Sequence, residues 1–116
     1  MFRFDPGLTV YLHRDAVDGR KAINGLALLV EQALGLDPFA PALFVFSNRR
    51  RDRIKILLWD RTGFWLLIKR LEADRFKWPK DEAVVTLSVE QLHWLLAGID
   101  LTAMRPHPER KYLQSG

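Results

Sequence analysis

The stretch SNRRRDRIKILLWDRTGFWLLIKRL, residues Ser47–Leu71, decides the fold class because it predicts a β-hairpin. Apolar side chains recur every second residue along Arg53–Trp59 and again along Phe64–Lys69, and this is the period of a strand with two different faces. The first strand has one face that is apolar throughout, which consists of Ile54, Ile56 and Leu58. We expect this face to be buried against the long helix that is predicted below.

The turn between the two predicted strands is Asp60-Arg61-Thr62-Gly63. Asp at the first position and Gly at the fourth are typical of a type I turn followed by a left-handed glycine, which is a common hairpin connection. The second face of the hairpin mixes aromatic side chains with cations. We therefore expect that face to point away from the core.

Two further strands are predicted outside the hairpin. Apolar and polar residues alternate along Leu8–His13, as in a half-buried strand. Leu43–Phe46 is a short apolar run that follows two prolines, and its length suits a central strand.

Two helices are predicted as well. Apolar residues at helical spacing indicate a long helix over Arg20–Leu34, with Asp18 as its N-cap and Gly35 as its C-terminal stop. Ser88 and Gln91 resemble a capping box and begin a short helix over Val89–Ala97. The fold class is therefore α+β: a mainly antiparallel β-sheet with one long helix packed on it and a second short helix.

The length of 116 residues and the hydrophobic fraction of 48% fit a single domain. We expect this domain to span residues 1–105. Residues 106–116 read PHPERKYLQSG, which offers little to bury, so we expect a flexible C-terminal tail.

Several classes of protein are excluded by composition. The chain has no cysteine, which excludes disulfides and thiolate zinc sites and agrees with a reducing compartment. It has no apolar run of the roughly 18 residues that a membrane span requires. We expect a cytoplasmic protein without a membrane partner.

Catalytic motifs are absent. The histidines His13, His93 and His107 lack the spacing that would place two metal ligands on one helix face, so we expect no metal. The chain has no Gly-rich phosphate loop and no evident carboxylate pair, and Glu109-Arg110-Lys111 matches a nuclease fragment only by chance in a proline-containing tail. We expect a protein that is not an enzyme and has no cofactor.

The positive charge is concentrated in one part of the sequence. Residues 47–80 contain eleven Lys and Arg against four Asp and Glu, whereas the other 82 residues contain seven against ten. Such a basic region is typical of proteins that bind the phosphate backbone of nucleic acids. The alternatives are an acidic protein partner, or a solvated basic turn that protects strand edges from aggregation.

The candidate DNA-binding residues are Arg49, Arg50, Arg51, Arg53, Lys55, Arg61, Lys69, Arg70, Arg75 and Lys77. Guanidinium groups suit bidentate contacts with phosphate or guanine, and the loop Arg49–Arg53 can extend towards a partner. Trp59, Trp65 and Trp78 are candidates for base stacking or for a protein interface. For these aromatic residues a core or interface position is the favoured interpretation.

Several motifs resemble one known family, the TnpB accessory proteins of bacterial insertion sequences of the sixty-six type. The resemblance runs from about Leu8 to Asp100. The motifs are DGRKAINGL (Asp18–Leu26), DPF (Asp37–Phe39), ALFVFSNRRRDRIKILLWD (Ala42–Asp60), TGFWLLIKRLE (Thr62–Glu72) and FKWP (Phe76–Pro79). The sequence departs from the family pattern at Gly19, Ala22 and Arg61, where Met, Gly and Gly are usual. At Arg61 this departure implies a less strained turn.

The resemblance implies a non-catalytic accessory protein that assists a transposase encoded by the same element. Three functions remain open. The protein binds duplex DNA at the element ends or the target, or it is an adaptor that docks the transposase, or, more remotely, it is a cryptic nuclease. A steep fall of DNA affinity with added salt would separate the first from the second.

Overall fold

A computed structural model describes residues 4–80, 82 and 84–101, and in this part of the chain it shows a five-stranded sheet with two helices. The strands are β1 (Thr9–His13), β2 (Ala42–Ser47), β3 (Arg53–Asp60), β4 (Gly63–Arg70) and β5 (Val84–Leu87), and the helices are α1 (Ile23–Gln32) and α2 (Val89–Leu96). The sheet order is β4-β3-β2-β1-β5, and only the β1–β2 pair is parallel. The predicted α+β class with a mainly antiparallel sheet is confirmed.

The parallel pair places two loops at the same end of the sheet. Parallel strands need a crossover connection, which α1 supplies between β1 and β2. The loops that follow His13 and Ser47 therefore meet, and the Val17 amide donates a hydrogen bond to the Ser47 carbonyl at 2.9 Å.

The two faces of the sheet are covered by different helices. Leu26 and Val30 of α1 pack against the face that carries Phe44 and Phe46, while α2 packs against the face that carries Ile56. The expectation that the Ile54 and Ile56 face meets the long helix was wrong. All six residues of β2 are buried, and a strand buried on both faces requires a layer on each side.

Helix α1 is shorter than the predicted Arg20–Leu34. It has ten residues and begins after Ala22, which makes no side-chain cap. Asp18 is not the N-cap, because its carboxylate binds the backbone and the guanidinium of Arg20 instead. Gly35 does end the helix region, since its φ of 66° is the left-handed conformation that glycine adopts readily.

The second helix and the last strand complete the sheet. The capping box of α2 is present, since Ser88 and Gln91 exchange side-chain to backbone hydrogen bonds. Strand β5 was not predicted. Its four residues pair antiparallel with β1 and are too few to show a period before the cap begins.

The hairpin turn differs from the expected one. Asp60 pairs with Gly63, so the turn has two central residues, and the left-handed residue is Arg61, at a φ of 47°. The predicted left-handed Gly63 and the unstrained Arg61 were wrong. The proposed tail at 106–116 and the proposed domain boundary at 105 lie outside the described residues.

Candidate nucleic-acid interface

Six cations lie at one end of the sheet, which we call the basic end; they are Arg49, Arg50, Arg53, Arg70, Arg75 and Lys77. This is the end where β2 and β4 finish and β3 begins. The loop after β4 is held against the β2–β3 turn by two backbone hydrogen bonds. The Leu71 amide donates to the Asp52 carbonyl at 2.8 Å, and the Phe76 amide donates to the Arg51 carbonyl at 2.7 Å.

Arg53 and Arg70 are direct cross-strand partners in the β3–β4 ladder. Like charges in opposed positions repel each other, and this destabilises the pair unless an anion lies between or above them. Arg70 contacts Glu72 at 3.0 Å, but both side chains are mostly exposed, so the contact is weak. Within the described residues the other five cations of the basic end form no ion pair.

One carboxylate within the basic end has a structural role. Asn48 donates its side-chain amide to Asp52 at 2.7 Å and accepts the Arg53 backbone amide at 3.1 Å. The hydrogen bond from Asn48, followed by the charges of Arg50 and Arg53, lowers the pKa of Asp52 below its ordinary value. Asp52 is therefore ionised at neutral pH, where it fixes the turn and offsets one of the positive charges.

Two open crevices flank the β2–β3 turn. One of about 430 Å³ is lined by residues 16–19 and by Asn48, Arg49 and Arg50. The other, of about 510 Å³, is lined by Arg50, Asp52, residues 71–75 and Lys77. Because Arg50 lines both crevices, they form one continuous polar surface around the turn.

Lys55 is not available to a phosphate, although the sequence placed it in the DNA-binding set. Its side chain is buried under the segment before α1, and its ammonium donates to the carbonyls of Gly19 and Lys21, both at 2.6 Å. Burial, with a smaller contribution from the charge of Arg53, lowers the pKa of Lys55. Lys55 thus fixes the loop that forms one wall of the first crevice.

Arg51 is also held by internal contacts. Its guanidinium lies 5.2 Å from the centre of the Trp78 ring and donates to the Arg14 carbonyl at 3.0 Å. Trp78 is buried, and its indole N–H donates to the His13 carbonyl at 3.1 Å. The structure therefore places Trp78 in the core and makes Arg51 a tie between the turn and the end of β1, as expected for a cation–π pair shielded from water.

The remaining predicted cations are separated from the six of the basic end, Lys69 by the face of the sheet that it is on and Arg61 by its distance along the strand. Lys69 is on the α2 face, and its ammonium donates to the Leu96 carbonyl at the C-terminus of α2 at 2.9 Å. Arg61 lies in the hairpin turn, roughly 25 Å along the strand from Arg53 at the rise of an extended chain. These two residues are not part of the same surface.

The other two tryptophans lie towards the hairpin turn. Trp59 packs edge-on against Phe39 and Phe64, with ring centres 4.9 Å and 5.0 Å apart, so it belongs to an aromatic cluster. Trp65 is 57% exposed on the opposite face, and its indole N–H donates to Asp60 at 3.0 Å. Of the three candidates for stacking, Trp65 alone has a largely open ring.

Comparison with known proteins identifies the family. The model of the IS66 Orf2 like protein family, TnpB_IS66, matches residues 8–106. The chain belongs to this family. The uncharacterized protein y4jC of Sinorhizobium fredii is 37% identical over 107 residues, which cover 90% of this chain and 91% of the relative. The uncharacterized protein y4hO of the same organism is 38% identical over 92 residues, which cover 78% of this chain and 80% of the relative. No solved structure matches.

Membership in the IS66 Orf2-like family confirms the resemblance seen in the sequence and supports an accessory role in transposition. In the described residues no group of three or more His, Asp or Glu is arranged to hold a metal ion. Helices long and apolar enough to cross a membrane are also absent from the described part of the chain. The expected cytoplasmic location stays a prediction.

Sequence reasoning missed three cations of this family member, Arg14, Arg20 and Lys21. They lie on the loop after β1, which the parallel pairing brings beside the β2–β3 turn. Arg14 contacts Asp15 at 3.0 Å and Arg20 contacts Asp18 at 2.9 Å, while Lys21 is exposed. These three cations were missed because the sequence outside residues 47–80 is acidic on average. Their position beside the β2–β3 turn follows only from the parallel pairing of β1 and β2.

Proposed function

We propose that this protein is a non-catalytic accessory protein of transposition that binds the phosphate backbone of duplex DNA through its basic end. The transposase encoded by the same element carries out the reaction, and the protein supports it at the element ends or the target. The opposed pair of Arg53 and Arg70 is the observation that carries the proposal. Two guanidinium groups on neighbouring strands form a site that is more stable with a phosphate than without one.

The surroundings of this pair fit a phosphate backbone better than a small anion. Arg49 and Arg50 extend from the turn on one side, and Arg75 and Lys77 extend from the loop after β4. All four side chains are exposed, so they can contact successive phosphates without a change of fold. The continuous polar surface around Arg50 provides room for the chain that links those phosphates.

Such contacts would position the protein on DNA without reading its sequence. Phosphate contacts carry no base information, and affinity that depends on them falls steeply with salt because counterions are released. The role that fits these properties is to hold DNA for a separate transposase that supplies the sequence recognition and the chemistry.

The experiment is a salt titration of duplex binding by the protein and by a triple variant, Arg49→Ala, Arg50→Ala and Arg75→Ala. If each residue makes one phosphate contact, the slope of log K against log salt should fall in magnitude by about 2.7, that is about 0.9 for each contact. The loss should be the same on element ends and on random duplex. Arg51 is left unchanged, because its removal would also loosen the turn.

Arg61→Ala is the matched control, because it removes an exposed arginine from the far end of the hairpin. It should leave the salt slope unchanged. If Arg61→Ala lowered the salt slope as much as a single substitution at the basic end does, the assignment of the DNA-binding site would be wrong. Circular dichroism and thermal melts of each variant show whether the fold is retained.

The adaptor function is the second candidate, and the exposed ring of Phe39 favours it. Phe39 is 54% exposed beside Trp59 and Phe64, and exposed aromatic residues are frequent anchors in protein interfaces. If the protein is only an adaptor, DNA binding is absent, and Phe39→Ala abolishes co-purification with the transposase. If it is a DNA-binding protein, the basic-end variant loses DNA and Phe39→Ala does not.

A further inference from the structure

Strand β4 is an open edge of the sheet. It has eight residues and pairs with β3 alone among the described strands, whereas the other edge, β5, has four. In an antiparallel ladder every second residue directs its N–H and C=O to its one partner, so the remaining residues of β4 have unpaired backbone groups. Between Gly63 and Ile68 the strand has no charged residue and no proline, which are the usual protections of an edge.

Two large apolar side chains of β4 are exposed. Ile68 is 58% exposed on the α1 face, and Trp65 is 57% exposed on the α2 face. The indole N–H of Trp65 donates a hydrogen bond to the Asp60 carboxylate, which orients the ring along the strand edge. Exposed aromatic side chains of this kind are typical anchors of an interface.

A groove that could receive such a ring lies on the same face of the same strand. It has a volume of about 360 Å³, and its walls include Phe4, Ile56, Leu67, Lys69 and Leu96. It exists because α2 packs on β1 and β5 and leaves β3 and β4 partly uncovered. The protein therefore has an apolar projection and an apolar groove close together at one edge.

We propose that β4 pairs antiparallel with β4 of a second copy of this chain, and that Trp65 of each copy enters the groove of the other. An interface with two-fold symmetry uses the same surface twice, so it requires a projection and a recess on one surface. Trp65 and the groove meet this requirement. The pairing also satisfies the open backbone groups of both strands and joins two five-stranded sheets.

The alternation of side chains and the position of the groove together restrict the register to two arrangements. Residues that are paired across antiparallel strands have their side chains on the same face of the sheet. The two-fold axis must therefore pass between one residue of β4 and the same residue of the second copy. With the axis at Leu66, Trp65 lies opposite Leu67 of the second copy. With the axis at Leu67, Trp65 lies opposite Lys69 of the second copy. Both arrangements place the indole at the groove.

The charges of β4 favour this orientation. Its cations, Lys69 and Arg70, lie at the C-terminal end of the strand. Antiparallel pairing keeps the two pairs of cations at opposite ends of the shared edge, whereas parallel pairing would place them side by side. A strongly basic partner strand would be repelled for the same reason.

The first test measures the molar mass of the full chain by sedimentation over a dilution series. The protein should dissociate from dimer to monomer, and Trp65→Ala and Ile68→Lys should each raise the dissociation constant by about tenfold or more. Leu28→Lys is the matched control, because Leu28 is 50% exposed on α1 and not on the edge strand. It should leave the dissociation constant unchanged.

The second test uses the absence of cysteine in the chain. A cysteine placed at the residue beside the two-fold axis is paired with the same cysteine of the second copy. The two Cα atoms are then about 4.5–5.5 Å apart, a distance that allows a disulfide. Leu66→Cys or Leu67→Cys should therefore form a covalent dimer under mild oxidation. Thr86→Cys, exposed on the β5 edge, should remain monomeric under the same conditions.

A protein that is monomeric throughout, or a dimer that forms disulfides through Thr86→Cys and tolerates Ile68→Lys, would overturn the proposal. A monomer that loses its transposase through Trp65→Ala would also overturn it and would assign the edge to a strand of that partner. DNA binding is not needed for any of these results, so the proposal stands or fails independently of the proposed function.

Discussion

The two ends of the β3–β4 hairpin have the same backbone pairing but opposite chemistry. At one end Arg53 faces Arg70, and at the other Trp59 faces Phe64. All four side chains are on the face that α1 covers in part. A ten-residue helix is about 15 Å long, whereas a strand of eight residues extends about 27 Å. The helix therefore covers the middle of the hairpin and leaves both ends to make other contacts.

This difference separates the parts of the hairpin that stabilise the fold from the parts available to partners. The middle holds Lys55 and Leu57 under α1 and its preceding loop, and Ile56 on the other face under α2. The basic end has exposed cations that repel each other, and the turn end has an aromatic cluster with one exposed ring. Three pairs of substitutions test this separation.

The largest effect is expected at Ile56, in the middle of the hairpin. Ile56 is 4% exposed, so Ile56→Ala should lower the free energy of unfolding by about 2–5 kcal/mol through lost burial and the cavity that remains. Denaturant unfolding followed by tryptophan fluorescence measures this loss. Ile68→Ala, on the exposed edge, should change stability by only about 0.5 kcal/mol. Equal losses of unfolding free energy for Ile56→Ala and Ile68→Ala would show that the middle and the edge of the hairpin contribute equally to stability.

A smaller loss of stability is expected at Lys55, which we compare with Arg53, the other cation of β3. Lys55→Ala leaves the carbonyls of Gly19 and Lys21 without their donor and should cost about 1–3 kcal/mol. Arg53→Ala should leave the melting temperature nearly unchanged and weaken DNA binding instead. Thermal melts and a mobility-shift assay on both variants check this. The separation of stability from binding is wrong if Arg53→Ala destabilises the protein as much as Lys55→Ala does.

The smallest effect is expected at the turn. Arg61 has a φ of 47°, where a side chain is strained and glycine is not, so Arg61→Gly should stabilise the protein by roughly 0.5–1 kcal/mol. DNA affinity should not change, because Arg61 is remote from the basic end. Chemical denaturation and the salt titration measure the two quantities. Thr62→Gly, at the neighbouring turn position, should not stabilise the protein.

Sequence reasoning was successful where a pattern is local. The two-residue period of β3 and β4 and the capping box of Ser88 and Gln91 depend on neighbours along the chain, and each was found where it was expected. Reasoning from the sequence was less successful for Asp18. A carboxylate before a helical pattern resembles an N-cap, but the neighbouring Arg20 competes for it, and Lys55 holds the intervening loop in a turn.

The candidate site was predicted in part for a similar reason. Arg49, Arg50 and Arg53 were found because they lie close together in the sequence. Arg49 and Arg50 are exposed and Arg53 is half-buried, which agrees with a position at the surface. Lys55 has the same charge and lies only two residues from Arg53. Whether such a cation is exposed depends on what lies above the strand, and the sequence of the strand does not contain that information.

By itself the sequence determined four of the five strands, the presence of two helices, the family and the regional positive charge. These properties follow from residue order, because backbone conformation and side-chain alternation are set mainly by local neighbours. The tertiary structure decided that β1 and β2 are parallel, which helix covers which face, and that Lys55 is buried while Arg53 faces Arg70. Those properties depend on contacts between residues far apart in the chain, whose energies no local pattern records.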